Sequence, residues 1–196
     1  MPDAAPAAAA CGTGHTRTIS VRKALLTDVK PLVGLINGFA AQGIMLPRTE
    51  FELAENIRDF TVAVVDGELA GCGALHFYGP HTGEIRSLAV RPDCQHMGIG
   101  RSIMEALEAE AQAHGLRSVF AFTYIPDFFA KLSYREVDRR LLPAKVWKDC
   151  LRCPKLQCCD EIAVQKIFQE NDSAILINGE DIPANEPVII PLVGKK

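Results

Sequence analysis

A glycine-containing loop between a β-type run and a helical pattern constrains the fold more than any other feature of the sequence. It consists of Gln95, His96, Met97, Gly98, Ile99 and Gly100. The first N–H groups of a helix have no partners within the helix, and the helix dipole adds about half a positive charge there, so they attract anions. Glycines at 98 and 100 let the backbone approach phosphate oxygens closely. We therefore expect this loop, with Arg101 and Ser102, to bind a pyrophosphate group.

Other phosphate-binding motifs fit this loop less well. The dinucleotide-binding fingerprint needs a third glycine, and the Walker loop needs a Gly-Lys-Ser/Thr run; both are missing here. A helix that begins with glycines by chance is the remaining alternative. It is disfavoured because the loop follows a strong strand pattern and the Arg91-Pro92-Asp93 turn, and precedes a helical pattern of suitable length.

Hydrophobic periodicity predicts a single α/β domain. Strand patterns cover 18–22, 60–65, 68–78, 84–90, 118–123, 134–138 and 161–168, and helical patterns cover 28–42, 49–58, 98–114 and 126–132. The Asp66-Gly67 dipeptide indicates a hairpin. Thr49 and Glu52 have the spacing of a capping box, and Asp28 is the expected N-cap of the first helix.

Alternation along the strand at 84–90 predicts two faces. Strict alternation places Glu84, Arg86, Leu88 and Val90 on one face and Ile85, Ser87 and Ala89 on the other.

The ends of the chain differ in composition from the middle. Residues 1–16 are rich in Ala, Pro and Gly and are interpreted as a flexible leader, 17–170 as the folded domain and 171–196 as a C-terminal tail. A net charge of −3 gives no basic field for nucleic acid. No apolar run approaches the ~20 residues of a membrane span. Seven cysteines, an odd number, without a secretion signal indicate reduced thiols and a cytoplasmic location.

The loop and the strand before it resemble motif A of the GNAT superfamily of N-acetyltransferases. The match runs through residues 88–93 and 95–100, and the wider resemblance covers 17–140. It implies an α/β (α+β) fold with a central mixed, mostly antiparallel sheet flanked by helices. It also implies acetyl-CoA as co-substrate, no required metal, and a pantetheine arm that lies along Leu88, Ala89 and Val90.

A narrower resemblance is to the acetyltransferase domain of the N-acetylglutamate synthases. It rests on residues 42–48, 71–75, 83–90 and 128–132, while 142–161 resemble the ending of short bacterial forms. It implies transfer of an acetyl group to the α-amine of L-glutamate, the first step of arginine biosynthesis. Many members carry an amino-acid-kinase-like domain ahead of this one, which we expect to be absent here. The oligomeric state stays open, with a homodimer as one alternative.

Acetyl transfer needs a base for the amine and a proton for the departing thiolate. Glu84 resembles in position the catalytic glutamate of histone acetyltransferases in the superfamily. If Glu84 is the base, we expect it to act through a water molecule; the alternative is that Glu84 is a surface or ion-paired residue. Phe129 stands where many members have a Tyr that protonates the thiolate, and Phe has no proton to donate. Tyr124 is the nearby substitute, and water is the alternative.

Arg48 and Arg86 are the candidates for binding the two carboxylates of glutamate, because a guanidinium offers a planar fork that matches a carboxylate. A solvated surface Arg is the alternative for each. The apolar setting of Arg48, in a loop where superfamily members place the acceptor site, favours its role. His76 and Asn37 are weaker candidates.

Four cysteines near the end of the predicted domain need a separate interpretation. Cys150, Cys153, Cys158 and Cys159 offer four thiols, the number that tetrahedral zinc takes. Zinc sites usually pair two separated knuckles, however, and adjacent cysteines rarely both bind one ion. The segment also resembles the ending of the short synthases, so we interpret it as part of the fold and assign no metal ligand.

Two other functions stay open. One is a GNAT enzyme that acts on another amine, such as a protein N-terminus, a polyamine or a small molecule. The other is a non-catalytic acyl-CoA-binding module, which the missing Tyr favours.

Overall fold

A computed structural model gives the structure of residues 18–142, 153, 155 and 158–168. The predicted leader and tail lie outside these residues, so the domain boundaries stay predictions. Within the described residues the sheet has seven strands: β1 (Ile19–Lys23), β2 (Phe60–Val65), β3 (Glu68–Phe77), β4 (Thr82–Val90), β5 (Ser118–Thr123), β6 (Arg135–Glu136) and β7 (Ile162–Ile167). The α-helices of this part of the chain are α1 (Val29–Ala40), α2 (Glu50–Glu55), α3 (Ile99–Ala113) and α4 (Pro126–Ala130).

The strands lie in the order β1-β2-β3-β4-β5-β7-β6, and all neighbours are antiparallel except β4 and β5. The mixed, mostly antiparallel sheet of a single domain is therefore confirmed. The hairpin between β2 and β3 turns through Asp66 and Gly67, which have φ angles of 51° and 86°. Two consecutive positive φ angles are what a type I′ turn requires, so the Asp-Gly signal is also confirmed.

Helices cover both faces of the sheet. The buried side chains of α3, among them Ile103, Met104 and Leu107, pack on one face. The buried side chains of α1 and α2 pack on the other. Helix α3 approaches β3 closely because Gly73 has no side chain; a Cβ there would lie 2.9 Å from a methyl group of Leu107. None of the helices in the described part of the chain is long and apolar enough to cross a bilayer.

Helix α1 starts at the predicted position but lacks the expected capping hydrogen bond. It begins at Val29, after a 3-10 turn, and Asp28 makes no capping hydrogen bond with its side chain. The Asp28 carboxylate instead accepts hydrogen bonds from the backbone N–H of Leu25 at 2.7 Å and from Arg22 Nη1 at 2.6 Å. Asp28 therefore occupies the predicted N-cap position of α1, but its carboxylate pairs with Arg22 and Leu25 and does not cap the helix. The hydrogen bond from Arg22 lowers the pKa of Asp28.

Other boundaries shift by a few residues. The capping box of α2 is confirmed: Glu52 N donates to Thr49 Oγ1 at 3.2 Å, and Thr49 N donates to Glu52 Oε2 at 2.9 Å. The regular helix ends at Glu55, however, and a 3-10 turn, Ile57–Asp59, follows. Strand β4 begins two residues earlier than predicted, and β6 contains only two residues.

Strand β4 contains a β-bulge that the sequence pattern did not reveal. Ser87 has a φ of 54°, and the register between β3 and β4 shifts at this point. Ser87 and Leu88 together stand opposite the single residue Gly73, as the paired residues on either side show. A bulge of this kind re-aims the side chains that follow it.

The bulge changes the faces of β4. Leu88 and Val90 pack in the same hydrophobic cluster as Ile85, on the α3 side, whereas Ala89 packs on the α1 side. The prediction that put Ile85 on the face opposite Leu88 and Val90 is therefore wrong, because strict alternation holds only in a strand without an extra residue.

The parallel pairing of β4 with β5 is short. It joins Thr82–Glu84 to Ser118–Phe120 and ends there, although β4 continues to Val90. The two strands then separate, and the edge of β4 after Glu84 borders a gap in the sheet. This gap positions the candidate active site.

Candidate active site

A cavity of about 350 Å³ lies at the gap between β4 and β5. Its walls are the loop after α1, the bulged half of β4, the end of β5 and the residues just before β7. Five residues predicted from the sequence line it: Arg48, Glu84, Arg86, Leu88 and Tyr124. The structure thus brings both acceptor candidates, the base candidate and the substitute proton donor into one space. Their chemical roles stay predictions.

Arg48 is held in place through its backbone. Its N–H donates to Asn37 Oδ1 and its carbonyl accepts from Asn37 Nδ2, both at 2.9 Å. The side-chain amide of Asn37, on α1, thereby fixes the loop that carries Arg48. This contact gives the weaker acceptor candidate Asn37 a positioning role.

Glu84 is buried, with 9% of its surface exposed, at the last paired position between β4 and β5. Its carboxylate therefore lies where the two strands begin to separate. A base that takes a proton from an amine in the gap would need this position.

Arg86 belongs to a charged group with Asp59 and His76. Arg86 Nη2 lies 3.9 Å from Asp59 Oδ2, and His76 Nδ1 lies 2.7 Å from the same oxygen. The Arg86 side chain is only 16% exposed, so its guanidinium is not a solvated surface group. His76 does not line the cavity, and its described ion pair is with Asp59, so its weaker candidacy as an acceptor residue stays a prediction.

Tyr124 belongs to a three-residue network at the end of β5. Its hydroxyl donates to Asp160 Oδ1 at 2.8 Å and accepts from Lys155 Nζ at 3.1 Å. Lys155 also contacts Asp160 at 3.1 Å and lies 4.9 Å from the centre of the Tyr124 ring. Burial raises the pKa of Tyr124, and the hydrogen bond from Lys155 opposes this. The hydroxyl proton is directed at Asp160 in this arrangement.

Phe129, where a Tyr was expected by resemblance, is a core residue of α4. It is 3% exposed and packs edge-to-face against Phe128 and Tyr134, with ring centres 5.4 and 5.2 Å apart. It also borders the cavity.

The predicted phosphate loop leads directly into α3. His96 and Gly98 have φ angles of 62° and 79°, and α3 begins at Ile99. Gln95 Nε2 donates to the carbonyl of Val90 at 3.2 Å, which ties the loop to the end of β4. Left-handed residues in such a turn direct neighbouring N–H groups to one side, where an anion can bind.

The members of the loop contribute in different ways. Ile99 is 1% exposed, so only its backbone can face a ligand. The Arg101 side chain is exposed, and its Nη1 lies 3.9 Å from Glu105. A Cβ on Gly100 would meet the Phe128 ring at 3.4 Å. This is ordinary van der Waals contact, so packing does not by itself require glycine at position 100, and its role in binding phosphate stays a prediction. Met97 and Ser102 are partly buried beside these residues.

Three charged residues of the cavity were missed by the sequence analysis: Arg139, Lys155 and Glu161. Arg139 Nη2 donates to the backbone carbonyl of Glu161 at 2.6 Å. Burial and the neighbouring Asp160 raise the pKa of Glu161, and Arg139 opposes the shift. These residues reach the site because β7 pairs antiparallel with β5, with Thr123 opposite Ile162, so the start of β7 meets the end of β5.

The cysteines near the cavity carry free thiols. Cys153 and Cys159 line it and Cys158 is exposed. Cys150 lies outside the described residues. In the described part of the chain, no three His, Cys, Asp or Glu side chains are grouped so as to hold a metal ion.

Sequence comparisons relate the chain to acetyltransferases. The acetyltransferase (GNAT) family matches residues 37–136. An uncharacterised N-acetyltransferase of Chlorobaculum tepidum is 42% identical over 146 residues, which are 74% of this chain and 94% of that protein. An amino-acid acetyltransferase of Mycobacterium tuberculosis is 33% identical over 135 residues, 67% of this chain and 77% of that protein.

A solved structure has a similar fold. It is N-acetylglutamate synthase from Neisseria gonorrhoeae, in complex with coenzyme A and N-acetyl-glutamate. The TM-score is 0.70 at 27% identity, and the match covers 78% of this chain but only 35% of the longer one.

Proposed function

Because the chain belongs to the GNAT family and is an acetyl-CoA-dependent N-acetyltransferase, we propose that it acetylates the α-amine of L-glutamate to give N-acetylglutamate. The observation that carries this proposal is the cavity in which Arg48 and Arg86 line the same space as Glu84. The amino-acid acetyltransferase and the N-acetylglutamate synthase that resemble the chain support this choice of acceptor. The reaction is the first step of arginine biosynthesis.

Acetyl-CoA is proposed to lie along the open edge of β4. Leu88 and Val90 follow the end of the β4–β5 pairing, and their backbone groups are proposed to bind the pantetheine arm, with Ala89 between them. The pyrophosphate is proposed to bind at the N–H groups of residues 95–100, with help from Arg101 and Ser102. This arrangement brings the thioester to the gap beside Glu84.

Glu84 is the proposed general base. It removes a proton from the acceptor ammonium, directly or through a water, and the amine nitrogen then attacks the thioester carbonyl carbon. As the tetrahedral intermediate collapses, its nitrogen loses a second proton to water, the C–S bond breaks and the CoA thiolate leaves. A positioned base contributes about 10²–10⁴-fold to such a reaction.

Tyr124 is the proposed donor of the proton that the thiolate takes up, and water is the alternative. To act, the Tyr124 hydroxyl must exchange its hydrogen bond to Asp160 for one to the sulfur. Lys155, which donates to the same hydroxyl at 3.1 Å, stabilises the phenolate that forms for a moment.

The two arginines are proposed to select the acceptor. Each guanidinium can form charge-assisted hydrogen bonds with one carboxylate of glutamate, and the loss of one such contact costs about 1.5–3 kcal/mol, or about ten- to a hundredfold. A cation left without its partner disfavours neutral acceptors. We expect L-glutamate to be preferred over L-glutamine and far preferred over lysine.

The reaction is proposed to take place in the cytoplasm. The cysteines that the structure describes are all free thiols, which suits a reducing compartment.

The test of the acceptor is release of the CoA thiol by the purified protein across a panel of amines. The panel contains L-glutamate, L-glutamine, L-lysine, spermidine and a short peptide with a free N-terminus. The highest kcat/KM is expected for L-glutamate. Rapid acetylation of spermidine or the peptide, with none of glutamate, would overturn the acceptor while leaving the family unaffected.

A further inference from the structure

The cavity wall contains a carboxylate that the proposed chemistry does not use. Glu161 immediately precedes β7, is partly buried and lines the cavity. Glu84 and Glu161 are the acidic residues of the lining in the described part of the chain. A site that receives a dicarboxylate would be expected to avoid a second acidic side chain, since like charges repel. The position of Glu161 in the cavity wall therefore needs an explanation.

The strand register separates the two carboxylates. Glu84 pairs with Phe120, and Ile162, next to Glu161, pairs with Thr123. Glu161 is therefore two strands away from Glu84 and about four residues further along, which gives roughly 16 Å between their Cα atoms at ordinary strand spacings. Both residues line the cavity, and this separation leaves room for a small amino acid between them. If the amine of that molecule faces Glu84, its other end faces Glu161.

The backbone of Glu161 is anchored. Arg139 Nη2 donates to the Glu161 carbonyl at 2.6 Å and also reaches the Cys159 carbonyl at 3.4 Å. On the side chain, Oε2 lies 3.9 Å from Cys159 Sγ, a long thiol contact. The network of Tyr124, Lys155 and Asp160 holds the same segment to the end of β5. Because these contacts fix the backbone of the segment, the Glu161 side chain can discriminate between ligands.

We propose that Glu161 is a specificity-determining residue that contacts the side-chain end of the acceptor and favours an amide there over a carboxylate. An ionised carboxylate accepts hydrogen bonds from an amide NH₂ group and repels another carboxylate. L-Glutamine is thereby a second acceptor of this enzyme. Arg48 and Arg86 favour glutamate and Glu161 disfavours it. The balance of these interactions sets the ratio of kcat/KM for L-glutamate to that for L-glutamine. This inference rests on the proposed function.

The test is the ratio of kcat/KM for L-glutamate to that for L-glutamine in Glu161→Gln. The substitution keeps the shape and removes the charge, so the ratio is expected to rise about tenfold or more above that of the wild type, with glutamine turnover falling. Calorimetric titration of each amino acid into the CoA-loaded protein should show the same shift in affinity without any turnover. Glu161→Asp, which keeps the charge, should stay near the wild-type ratio.

Glu55→Gln is the matched control, because Glu55 is exposed at the end of α2 and does not line the cavity. It should leave the ratio unchanged. An unaltered ratio and unaltered affinities in a folded Glu161→Gln protein would overturn the role of Glu161 alone. If the wild type acetylates neither glutamate nor glutamine, the proposed function fails together with this inference.

Discussion

Replacement of Gly98 by Ala should weaken acetyl-CoA binding, and Gly115 offers a matched control at the other end of the same helix. Gly98 precedes α3 with a φ of 79°, and Gly115 follows α3 with a φ of 75°. A Cβ at either position meets no protein atom within 4 Å. The two substitutions therefore introduce the same backbone strain without a steric clash.

The magnitude follows from the left-handed conformation. An L-residue other than glycine in this region costs about 1–2 kcal/mol. Gly98→Ala and Gly115→Ala should each lower the free energy of unfolding by about that amount. Only Gly98 is part of the proposed pyrophosphate site. The Cβ of Gly98→Ala also enters the space proposed for the pyrophosphate, and the loss of one hydrogen bond to phosphate costs about 1–2 kcal/mol, a roughly five- to thirtyfold weaker Kd for acetyl-CoA.

Urea unfolding measures the two stabilities, and calorimetry measures the two affinities. The reasoning requires equal losses of stability and unequal losses of affinity. Equal Kd values for acetyl-CoA in Gly98→Ala, Gly115→Ala and the wild type would refute the assignment of the pyrophosphate to this loop.

Three further predictions concern the base, the acceptor and the fold. Glu84→Gln should lower kcat by about 10²–10⁴-fold while the acetyl-CoA affinity stays near wild type, and an unchanged rate at neutral pH would make Glu84 structural. Arg48→Ala and Arg86→Ala should each raise the KM for glutamate about ten- to a hundredfold and lower the ratio of kcat/KM for glutamate to that for glutamine. An equal loss of kcat/KM for every acceptor would argue against this role. Asp28→Asn should destabilise the protein by about 1–3 kcal/mol in urea unfolding. Because the pKa of Asp28 is lowered by Arg22, its stabilisation is complete above the ordinary carboxyl pKa and is lost as the pH falls through the folded value. If the difference in free energy of unfolding between the wild type and Asp28→Asn does not become smaller at acidic pH, the pairing of Asp28 with Arg22 would be contradicted.

Most of the fold follows from local sequence signals. The strands around Asp66-Gly67, the capping box at Thr49 and the helix after Gly98 depend on residues close to one another in the chain, and their effects are visible in the sequence. The position of Asp28 as N-cap was predicted correctly, but its missing capping hydrogen bond was not, because its partner Arg22 lies on β1 and competes with the helix for the carboxylate. A cap residue with two competing partners cannot be resolved by spacing alone.

The parts of the site that could not be predicted depend on pairing between distant segments. The bulge at Ser87 appears only when β4 is set against β3, where one extra residue must be accommodated. Arg139, Lys155 and Glu161 reach the cavity only because β7 pairs with β5. Nothing in the spacing of these residues specifies that pairing, whereas the phosphate loop is contiguous and carries its own signal.

The most direct test of the proposed function is identification of the product formed from acetyl-CoA and L-glutamate by the purified protein. Mass spectrometry with fragmentation should find glutamate carrying one acetyl group on its α-nitrogen, in amounts that match the thiol released. Glu84→Gln should form it far more slowly at equal protein concentration. Release of thiol without acetylated glutamate, or saturable acetylation of another amine in its place, would contradict the assignment of L-glutamate as the acceptor.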